Sequence, residues 1–454
     1  MVDRVVSSRR LLTPHGFRDG AVLIEAGKIK EVVDRAQIPS GLPTEEAGDL
    51  VVMPGLFDSH VHVNEPGRTE WEGFETATKA ALAGGITTIV DMPLNCIPVT
   101  TSPDAFKTKL ASITNRLYVD CAFWGGVVPG NTRLLDKMID QGVVGFKCFL
   151  IHSGIDDFPN VEKMDLDAAI PILAKRGVPL LVHAELESAH EPWPHGYHTS
   201  YKKFLESRPR KWENDAIKLM IELCRKHDCR VHIVHLSSAE ALDDILHARN
   251  AKLPFTTESC PHYLTFNAEN IPDGDTRYKC APPIREKENQ EKLWKALKEG
   301  TIDFIVSDHS PCTPELKHLE AGDFERAWGG ISSVQFGLPT IWTEAQKRGH
   351  SLADVINWMS AAPAKFVGLD NQKGAIEAGR DADLVVFDPD KEFVIEKKMI
   401  HHRHKETPHE GRTLTGVVQT VFLRGEEVYR DGEFVGGPHG QPIKAVSAQK
   451  TARK

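Results

Sequence analysis

The chain has 454 residues, of which 41% are hydrophobic and 26% charged. This composition is typical of a globular protein, with enough length for a large domain and a smaller one. The formal net charge is −9, and because nucleic acids and anionic membranes attract basic surfaces, the charge argues against both as partners.

The termini and the cysteines indicate an intracellular protein. The first residues, MVDRVVSSRRLLTPHGF, contain no apolar run long enough for a signal peptide, and no stretch approaches the roughly 18 apolar residues of a membrane span. The last residues, TARK, differ from the peroxisomal tripeptide SKL. None of the eight cysteines forms a C-x-x-C pair, so we expect reduced, mostly buried thiols in a soluble cytoplasmic protein.

Short strands separated by turns are predicted for residues 1–52. Within VLIEAGKIKEVV, two apolar runs are interrupted by Ala26-Gly27, which is a hairpin signal. A different pattern begins at Val51-Val52-Met53-Pro54.

From residue 51 to about 365, short apolar runs alternate with longer stretches of helical pattern. Eight runs are predicted to be strands: 51–60, 86–92, 117–124, 143–149, 178–184, 230–236, 253–259 and 302–308. Stretches with helical pattern include 71–83, 211–227 and 286–298, and Gly84-Gly85 follows the first of them. Eight strand–helix repeats favour a (β/α)8 barrel of the TIM type over 53–365. The alternative is a doubly wound sheet, but no G-x-G-x-x-G follows a strand.

After about residue 366 the strand-rich pattern returns. The stretches KGAIEAGRDADLVVFDP and GVVQTVFLRGEEVYRDGEFV both have the pattern of hairpins. We therefore expect 1–52 and 366–454 to form one small, discontinuous β domain, a β-sandwich, beside the barrel. Its last residues, AVSAQKTARK, are expected to be frayed.

Candidate metal ligands lie at the ends of five predicted strands, where barrel enzymes carry their catalytic groups. The first strand ends with His60 and His62, which are two residues apart and therefore point to the same side. The fourth, fifth, sixth and eighth strands end in Lys147, His183, His235 and Asp308. Each residue alone has an ordinary alternative, such as a hydrogen-bonded core histidine or, for the aspartate, a helix N-cap.

Lys147 is the least ordinary of these residues because the run VVGFKCFL around it is otherwise apolar. Desolvation lowers the pKa of a lysine and makes its neutral amine available. A neutral amine reacts with carbon dioxide to give a carbamate (N6-carboxylysine), an anion that can bridge two cations. The alternative is a lysine whose amine reaches the rim of the barrel.

Together, four imidazoles, one carbamate and one carboxylate suit two divalent cations such as Zn2+. Two metals that share a water lower its pKa and create hydroxide, and they also polarise the carbonyl under attack. Asp308 can hold one metal, take the proton of the hydroxide and pass it to the leaving nitrogen. The six residues therefore predict metal-assisted hydrolysis.

Other histidines are harder to interpret. His232 shares a strand with His235 but lies three residues away, so it points to the opposite face, and we prefer His235 as the ligand. For His262 and His309 we expect supporting roles rather than direct ligation. The cluster HHRHKETPHEG (401–411) lacks the spacing of a closed metal site, and we expect a surface loop of the small domain.

The chain resembles a known family at these residues. GLFDSHVHVNEPG, VVGFKCFL, LLVHAE, VHIVHL, SDHSP and the terminal GRDADLVVFDP resemble the binuclear metal-dependent amidohydrolases, in the group of dihydroorotase, dihydropyrimidinase (hydantoinase) and allantoinase. The resemblance covers nearly the whole chain. It implies the following roles: first-metal ligands His60 and His62, carboxylated bridge Lys147, second-metal ligands His183 and His235, and remaining ligand and proton shuttle Asp308.

Within this group, several long strings resemble the allantoinases. They are HVHVNEPGRTEWEGFETATKAALAGGITTIVDMPLN, KCAPPIR, SDHSPCTPELK and AWGGISSVQFGLP. Dihydroorotases typically carry an arginine two residues after the second histidine, where this chain has Asn64, and a neutral amide cannot make that charge-assisted contact with a carboxylate. The resemblance therefore implies hydrolysis of the neutral ring of allantoin to allantoate, a step in purine breakdown. The alternatives are a hydantoinase or dihydropyrimidinase, and a non-catalytic scaffold on the same fold.

Three residues are candidate substrate contacts. Asn64 replaces the arginine, and Asn95, which ends DMPLN, is either a hydrogen-bonding partner of the substrate or a turn residue. By resemblance alone, backbone groups around Cys280 would hold the ring. The resemblance also implies a homotetramer and zinc, although other divalent ions suit the same ligands.

Overall fold

The computed structural model describes residues 1–188, 196 and 198–445. The chain forms a parallel barrel and a mixed nine-stranded sheet that combines strands from before and after the barrel. The predicted (β/α)8 barrel with a small β domain is therefore confirmed. The end predicted to be frayed lies, from residue 446 on, outside the described residues.

The elements follow the alternation seen in the sequence. The strands are β1 (Arg4–Thr13), β2 (Gly16–Glu25), β3 (Lys28–Val33), β4 (Thr44–Glu46), β5 (Val51–Pro54), β6 (Leu56–Val61), β7 (Ile86–Asp91), β8 (Asp120–Phe123), β9 (Gly125–Gly126), β10 (Phe146–Phe149), β11 (Leu180–His183), β12 (Val231–Ile233), β13 (Phe255–Ser259), β14 (Phe304–Ile305), β15 (Leu384–Val394), β16 (Thr413–Leu423), β17 (Glu426–Arg430) and β18 (Glu433–Phe434). The α-helices are α1 (Phe74–Ala83), α2 (Pro103–Ser112), α3 (Leu135–Gln141), α4 (Lys163–Arg176), α5 (Tyr201–Ser207), α6 (Arg210–His227), α7 (Leu242–Asn250), α8 (Pro261–Thr265), α9 (Lys287–Lys298), α10 (Gly337–Lys347), α11 (Leu352–Ile356) and α12 (Ala362–Val367).

Strands β6 to β14 form the barrel, and each of the eight predicted runs overlaps one of its strands. They pair in parallel in chain order, with β8 and β9 as two parts of one strand on either side of Trp124. The ring closes where Val61 bridges His309 and the His62 N–H donates to the His309 carbonyl at 2.8 Å. Helices cover the outer face, so the strands are buried on both sides.

The first predicted strand is in fact two strands that meet at Gly55. β5 pairs with β1 and β15 in the nine-stranded sheet, whereas β6 begins the barrel. A Cβ atom at position 55 would lie 2.2 Å from Oγ1 of Thr87, so only glycine fits at this junction. The predicted domain boundary between 52 and 53 falls within β5.

The nine-stranded sheet has the order β18-β17-β16-β15-β5-β1-β2-β3, with β4 beside β1. The hairpin predicted at Ala26-Gly27 joins β2 to β3, and the hairpin predicted after residue 415 joins β16 to β17. The hairpin predicted in KGAIEAGRDADLVVFDP is wrong, because this stretch contains a single strand, β15. Instead, Asp381 and Asp383 of this stretch pair with the buried ammonium of Lys373, its first residue.

Lys373 ties the sheet to the barrel. Its Nζ lies 2.6 Å from Asp120 of β8, 2.8 Å from Asp381 and 2.7 Å from Asp383, and all four side chains are buried. Burial alone would lower the pKa of Lys373, but the three carboxylates raise it above its usual value. Asp120 also accepts hydrogen bonds from Arg424, so this carboxylate is paired with two cations, Lys373 and Arg424.

Replacing Lys373 with methionine should lower the free energy of unfolding by about 3–5 kcal/mol, because buried carboxylates lose their shared cation. Urea unfolding followed by circular dichroism measures the change. The matched control is Lys391→Met at an exposed position of the same sheet, where we expect a change within about 0.5 kcal/mol. Equal stability of the two variants would contradict the prediction.

Two further observations concern the cysteines and the helices. All eight cysteines are buried and none is in a disulfide, as expected for small apolar side chains. Within the described part of the chain, every helix is too short or too polar to cross a membrane.

Candidate metal centre

A cavity of about 720 Å³ opens at the carboxyl ends of the barrel strands. Its lining includes all six predicted ligands: His60, His62, Lys147, His183, His235 and Asp308. Apolar side chains complete much of the wall, among them Phe149, Ile151, Phe324 and Trp328. The volume is in the range of sites for small molecules, which is roughly 300–1,000 Å³.

His60, His62 and Asp308 form the first donor group. Nδ1 of His60 lies 2.5 Å from Oε1 of Glu258, so this nitrogen donates to the carboxylate and Nε2 keeps a lone pair. Nε2 of His60 is buried without a hydrogen-bond partner among the described residues and lies 3.2 Å from Oδ1 of Asp308. Nε2 of His62 lies 3.6 Å from the same oxygen. One donor atom from each of the three residues therefore lies within 4.8 Å of the others.

His183 and His235 form the second donor group. Nδ1 of His183 and Nε2 of His235 are 3.0 Å apart. The other nitrogen of His183 lies 2.7 Å from Glu185, which is also bound by Arg208 at 2.5 and 3.1 Å. Burial alone raises the pKa of Glu185, but Arg208 and His183 lower it to about 2. Nε2 of His183 therefore donates to a charged carboxylate, and its Nδ1 is left with a lone pair facing the cavity.

The amine of Lys147 lines the same cavity. Only 1% of this residue is exposed, and within the described part of the chain no carboxylate lies at ion-pair distance from it. Its Nζ lies 5.0 Å from the ring centroid of Phe149. Burial lowers the pKa of Lys147 to about 8. A fraction of the amine is therefore neutral near physiological pH.

Burial also keeps three of the imidazoles neutral. It lowers the pKa of His60 and His235 well below the usual value of histidine and that of His183 by less. Neutral imidazoles with free lone pairs are the form that binds metals. Because the lone pairs converge and His60 Nε2 has no partner, the residues fit divalent cations bound at both donor groups.

Two of the proposed ligands have unusual backbone conformations. His235 has φ of 39° and Asp308 has φ of 46°, which is the left-handed region. For residues other than glycine this conformation costs about 1–3 kcal/mol and persists only where the surroundings impose it. Strain of this kind concentrates at functional sites, and here it lies at the ends of two barrel strands.

The three candidate substrate contacts have different surroundings. Asn95 lines the cavity, and its Nδ2 is 3.5 Å from Nδ1 of His62. Asn64 does not line it, because the side chain is fully buried and donates to the carbonyl of Pro311 at 3.1 Å. The thiol of Cys280 points to the carbonyl of Pro282, and the neighbouring Ala281 lines the cavity instead.

Several supporting carboxylates were missed in the sequence. Glu258 of β13 contacts His60 and also His232, at 3.1 Å, and Glu185 orients His183. Asp58 accepts backbone hydrogen bonds from His60 and Ser307, and burial raises its pKa to about 7. The available signal was a carboxylate within an otherwise uncharged strand, as in FTTESC and LFDSHV.

The prediction of a surface loop at 401–411 is wrong in part. His402 and His409 are fully buried, and Thr407 donates to the carbonyl of Ser332 at 2.7 Å. The cause is docking against the loops of the barrel, which sequence pattern does not reveal. His262 is also fully buried, near Cys260 and Asp308, and neither of its ring nitrogens has a hydrogen-bond partner among the described residues.

Comparisons with known proteins agree with this architecture. Residues 51–428 match the amidohydrolase family. An allantoinase from Streptomyces avermitilis is 49% identical over 95% of this chain and 97% of its own length, and an allantoinase from Arabidopsis thaliana is 45% identical over 96% and 90%. The solved structure of L-hydantoinase (dihydropyrimidinase) from Arthrobacter aurescens covers 98% of this chain and all of its own, with a TM-score of 0.90 and 31% identity.

Proposed function

The chain belongs to the amidohydrolase family, and on that premise we propose that it hydrolyses the ring amide of allantoin to give allantoate. One observation carries the proposal: four imidazoles, a lysine amine and a carboxylate from five barrel strands line one cavity. The similarity to proteins named allantoinase supports the choice of ring. The family implies a binuclear metal centre, for which these six residues are the candidate ligands.

In the proposed reaction, each side chain has a distinct task. His60, His62 and Asp308 would hold one cation and His183 and His235 the other, with carboxylated Lys147 shared between them. When bound, two such cations supply an activated water and polarise the amide carbonyl. Asp308 would accept a proton from the attacking water and donate it to the departing ring nitrogen, so that the C–N bond breaks without a free anion leaving.

The cavity wall would select and orient the ring. Asn95 offers an amide beside His62, where it can support this ligand, contact the substrate or do both. The side-chain amide of Asn64 donates to the carbonyl of Pro311. It is also neutral, so it supplies no positive charge for an acidic ring substituent. Ala281, next to Cys280, lines the cavity, where its backbone groups would bind ring oxygen and nitrogen atoms. These contacts favour a neutral ring with polar edges.

Ring opening of allantoin, dihydroorotate, hydantoin and dihydrouracil tests the proposal. The protein is produced with zinc and bicarbonate, and metal content is measured on the same sample. Turnover of allantoin far above the other three rings is the expected result. Preference for hydantoin or dihydrouracil would overturn the choice of substrate. It would instead indicate the activity for which the solved relative, a hydantoinase (dihydropyrimidinase), is named. Two bound metals without turnover of any ring would overturn the proposal as a whole.

The rate of reconstitution of the metal-free protein should depend on pH. Only the neutral amine of Lys147 reacts with carbon dioxide, and its pKa is about 8. At fixed dissolved carbon dioxide, the rate constant for carboxylation should rise about tenfold per pH unit below 8 and level off above it. Recovery of activity after addition of zinc measures this rate. A rate that is independent of pH between 6 and 8 would contradict the role of the neutral amine.

Zinc as the native metal and a homotetramer are proposed by resemblance alone. Elemental analysis of protein purified without added metal identifies the ion. Light scattering coupled to size-exclusion chromatography gives the mass of the assembly. Bound manganese or a monomeric mass would each overturn the corresponding part of this proposal.

A further inference from the structure

A buried carboxylate–histidine pair lies directly beside Asp308 and is not part of the ligand set. Glu72 and His309 are both fully buried, and Nε2 of His309 is 3.2 Å from Oε2 of Glu72. Nδ1 of His309 accepts from the Ser333 N–H at 3.0 Å, so the ring proton is on Nε2 and is donated to Glu72. Both nitrogens of this imidazole therefore have hydrogen-bond partners, and His309 does not line the cavity.

The backbone around this histidine fixes the position of Asp308. The His309 carbonyl accepts from the N–H of His62, and the His309 N–H donates to Oγ of Ser307 at 3.1 Å. Oγ of Ser333 donates to the Ser307 carbonyl at 2.9 Å. Asp308 thus has an anchored residue on each side. Such anchoring is needed because its φ of 46° is costly for a residue other than glycine.

The connection between β15 and β16 holds the carboxylate from the other side. The N–H of Arg403 donates to Oε1 of Glu72 at 3.0 Å, and its Nε donates to the Glu72 carbonyl. The ring of His402 lies 5.6 Å from that of His309. Glu72 is therefore held between the barrel and the segment 401–411, with one oxygen bound from each.

From this chain of contacts we propose that Glu72 and His309 are positioning residues that hold Asp308 in its active conformation. The inference rests on the proposed function, in which Asp308 is a metal ligand and the proton shuttle. Glu72 fixes the imidazole, the imidazole fixes the 307–309 backbone, and that backbone sets the direction of the Asp308 carboxylate. The segment 401–411 completes the active site from outside the barrel.

Two substitutions of His309 separate positioning from simple packing. His309→Asn keeps an acceptor near Nδ1 for Ser333 and removes the contact with Glu72. His309→Gln places an amide N–H near Nε2, where it can still donate to Glu72. The control is Glu75→Gln, three residues along the chain, where an exposed carboxylate pairs with Lys79. Thermal melts establish that each variant is folded.

Activity and metal affinity are then measured in parallel. We expect His309→Asn to lower kcat about 10- to 100-fold with KM unchanged, and His309→Gln and Glu75→Gln to stay near wild type. Zn2+ affinity in competition with a chelator should fall in the same order. Equal loss in both His309 variants, or no loss in either, would overturn the proposal. The affinity measurement decides the point even if wild-type protein fails to open allantoin, which would overturn only the proposed function.

Discussion

Replacing Lys147 with alanine should remove two-metal binding and lower kcat by roughly 10³-fold or more, because the lost activation of water and carbonyl corresponds to several kcal/mol. The side chain is buried, belongs to β10 and lines the cavity, and no described carboxylate lies at ion-pair distance from it. Its proposed carbamate supplies the anion that the two donor groups share. Without it, two cations would repel each other across a cavity lined by neutral imidazoles.

Metal content by elemental analysis and ring-opening kinetics check this result together. The control is Lys391→Ala, which removes an exposed lysine from the nine-stranded sheet and should leave both values unchanged. A small carboxylate such as acetate should enter the space left by the Lys147 side chain and restore part of the metal binding. Full activity of Lys147→Ala with two ions bound would contradict the role of Lys147 as the ligand that the two metals share.

Replacing Asp308 with asparagine should lower kcat by about 10²- to 10⁴-fold, because the amide cannot take up the proton that the leaving nitrogen needs. The substitution preserves volume. It is also compatible with the left-handed backbone at this position, since asparagine tolerates that conformation better than most residues. The loss therefore reports on chemistry rather than on strain.

KM, kcat and metal content distinguish the two proposed tasks of this carboxylate. Loss of kcat with one ion retained at each donor group would identify proton transfer as the main task. Loss of a metal ion together with kcat would show that Asp308 is also a metal ligand. The control is Asp390→Asn at an exposed position, which should leave KM, kcat and metal content unchanged. Unchanged kcat in Asp308→Asn would show that another group moves the proton.

The barrel and the proposed ligands were predictable because local pattern determines both. A buried parallel strand requires a continuous apolar run, so a histidine or lysine that ends such a run stands out. His60 and His62 share a side because strands have a period of two. The end of each barrel strand faces the same cavity, so these residues could be grouped without knowing any distance.

The supporting residues could not be predicted because their partners are remote in sequence. Glu258 contacts His60 across 198 positions, and Arg403 reaches Glu72 across 331. The split at Gly55 was hidden within one continuous apolar run, so β5 and β6 read as a single strand. At 401–411, the polar composition is typical of solvent exposure, and only docking against the barrel loops buries His402.

The junction at Gly55 has a mechanical consequence. The chain passes from the nine-stranded sheet into the first barrel strand across one residue, and that strand carries the first proposed ligand, His60, five positions later. A swing of the sheet relative to the barrel would pull directly on the register of this strand, and Lys373 clamps the same boundary from the β8 side. Gly55 and Lys373 therefore couple the sheet to the barrel at β6 and at β8. An inserted residue at position 55 would shift the register of β6 and therefore move His60. No linker lies between the sheet and this strand to take up the extra residue.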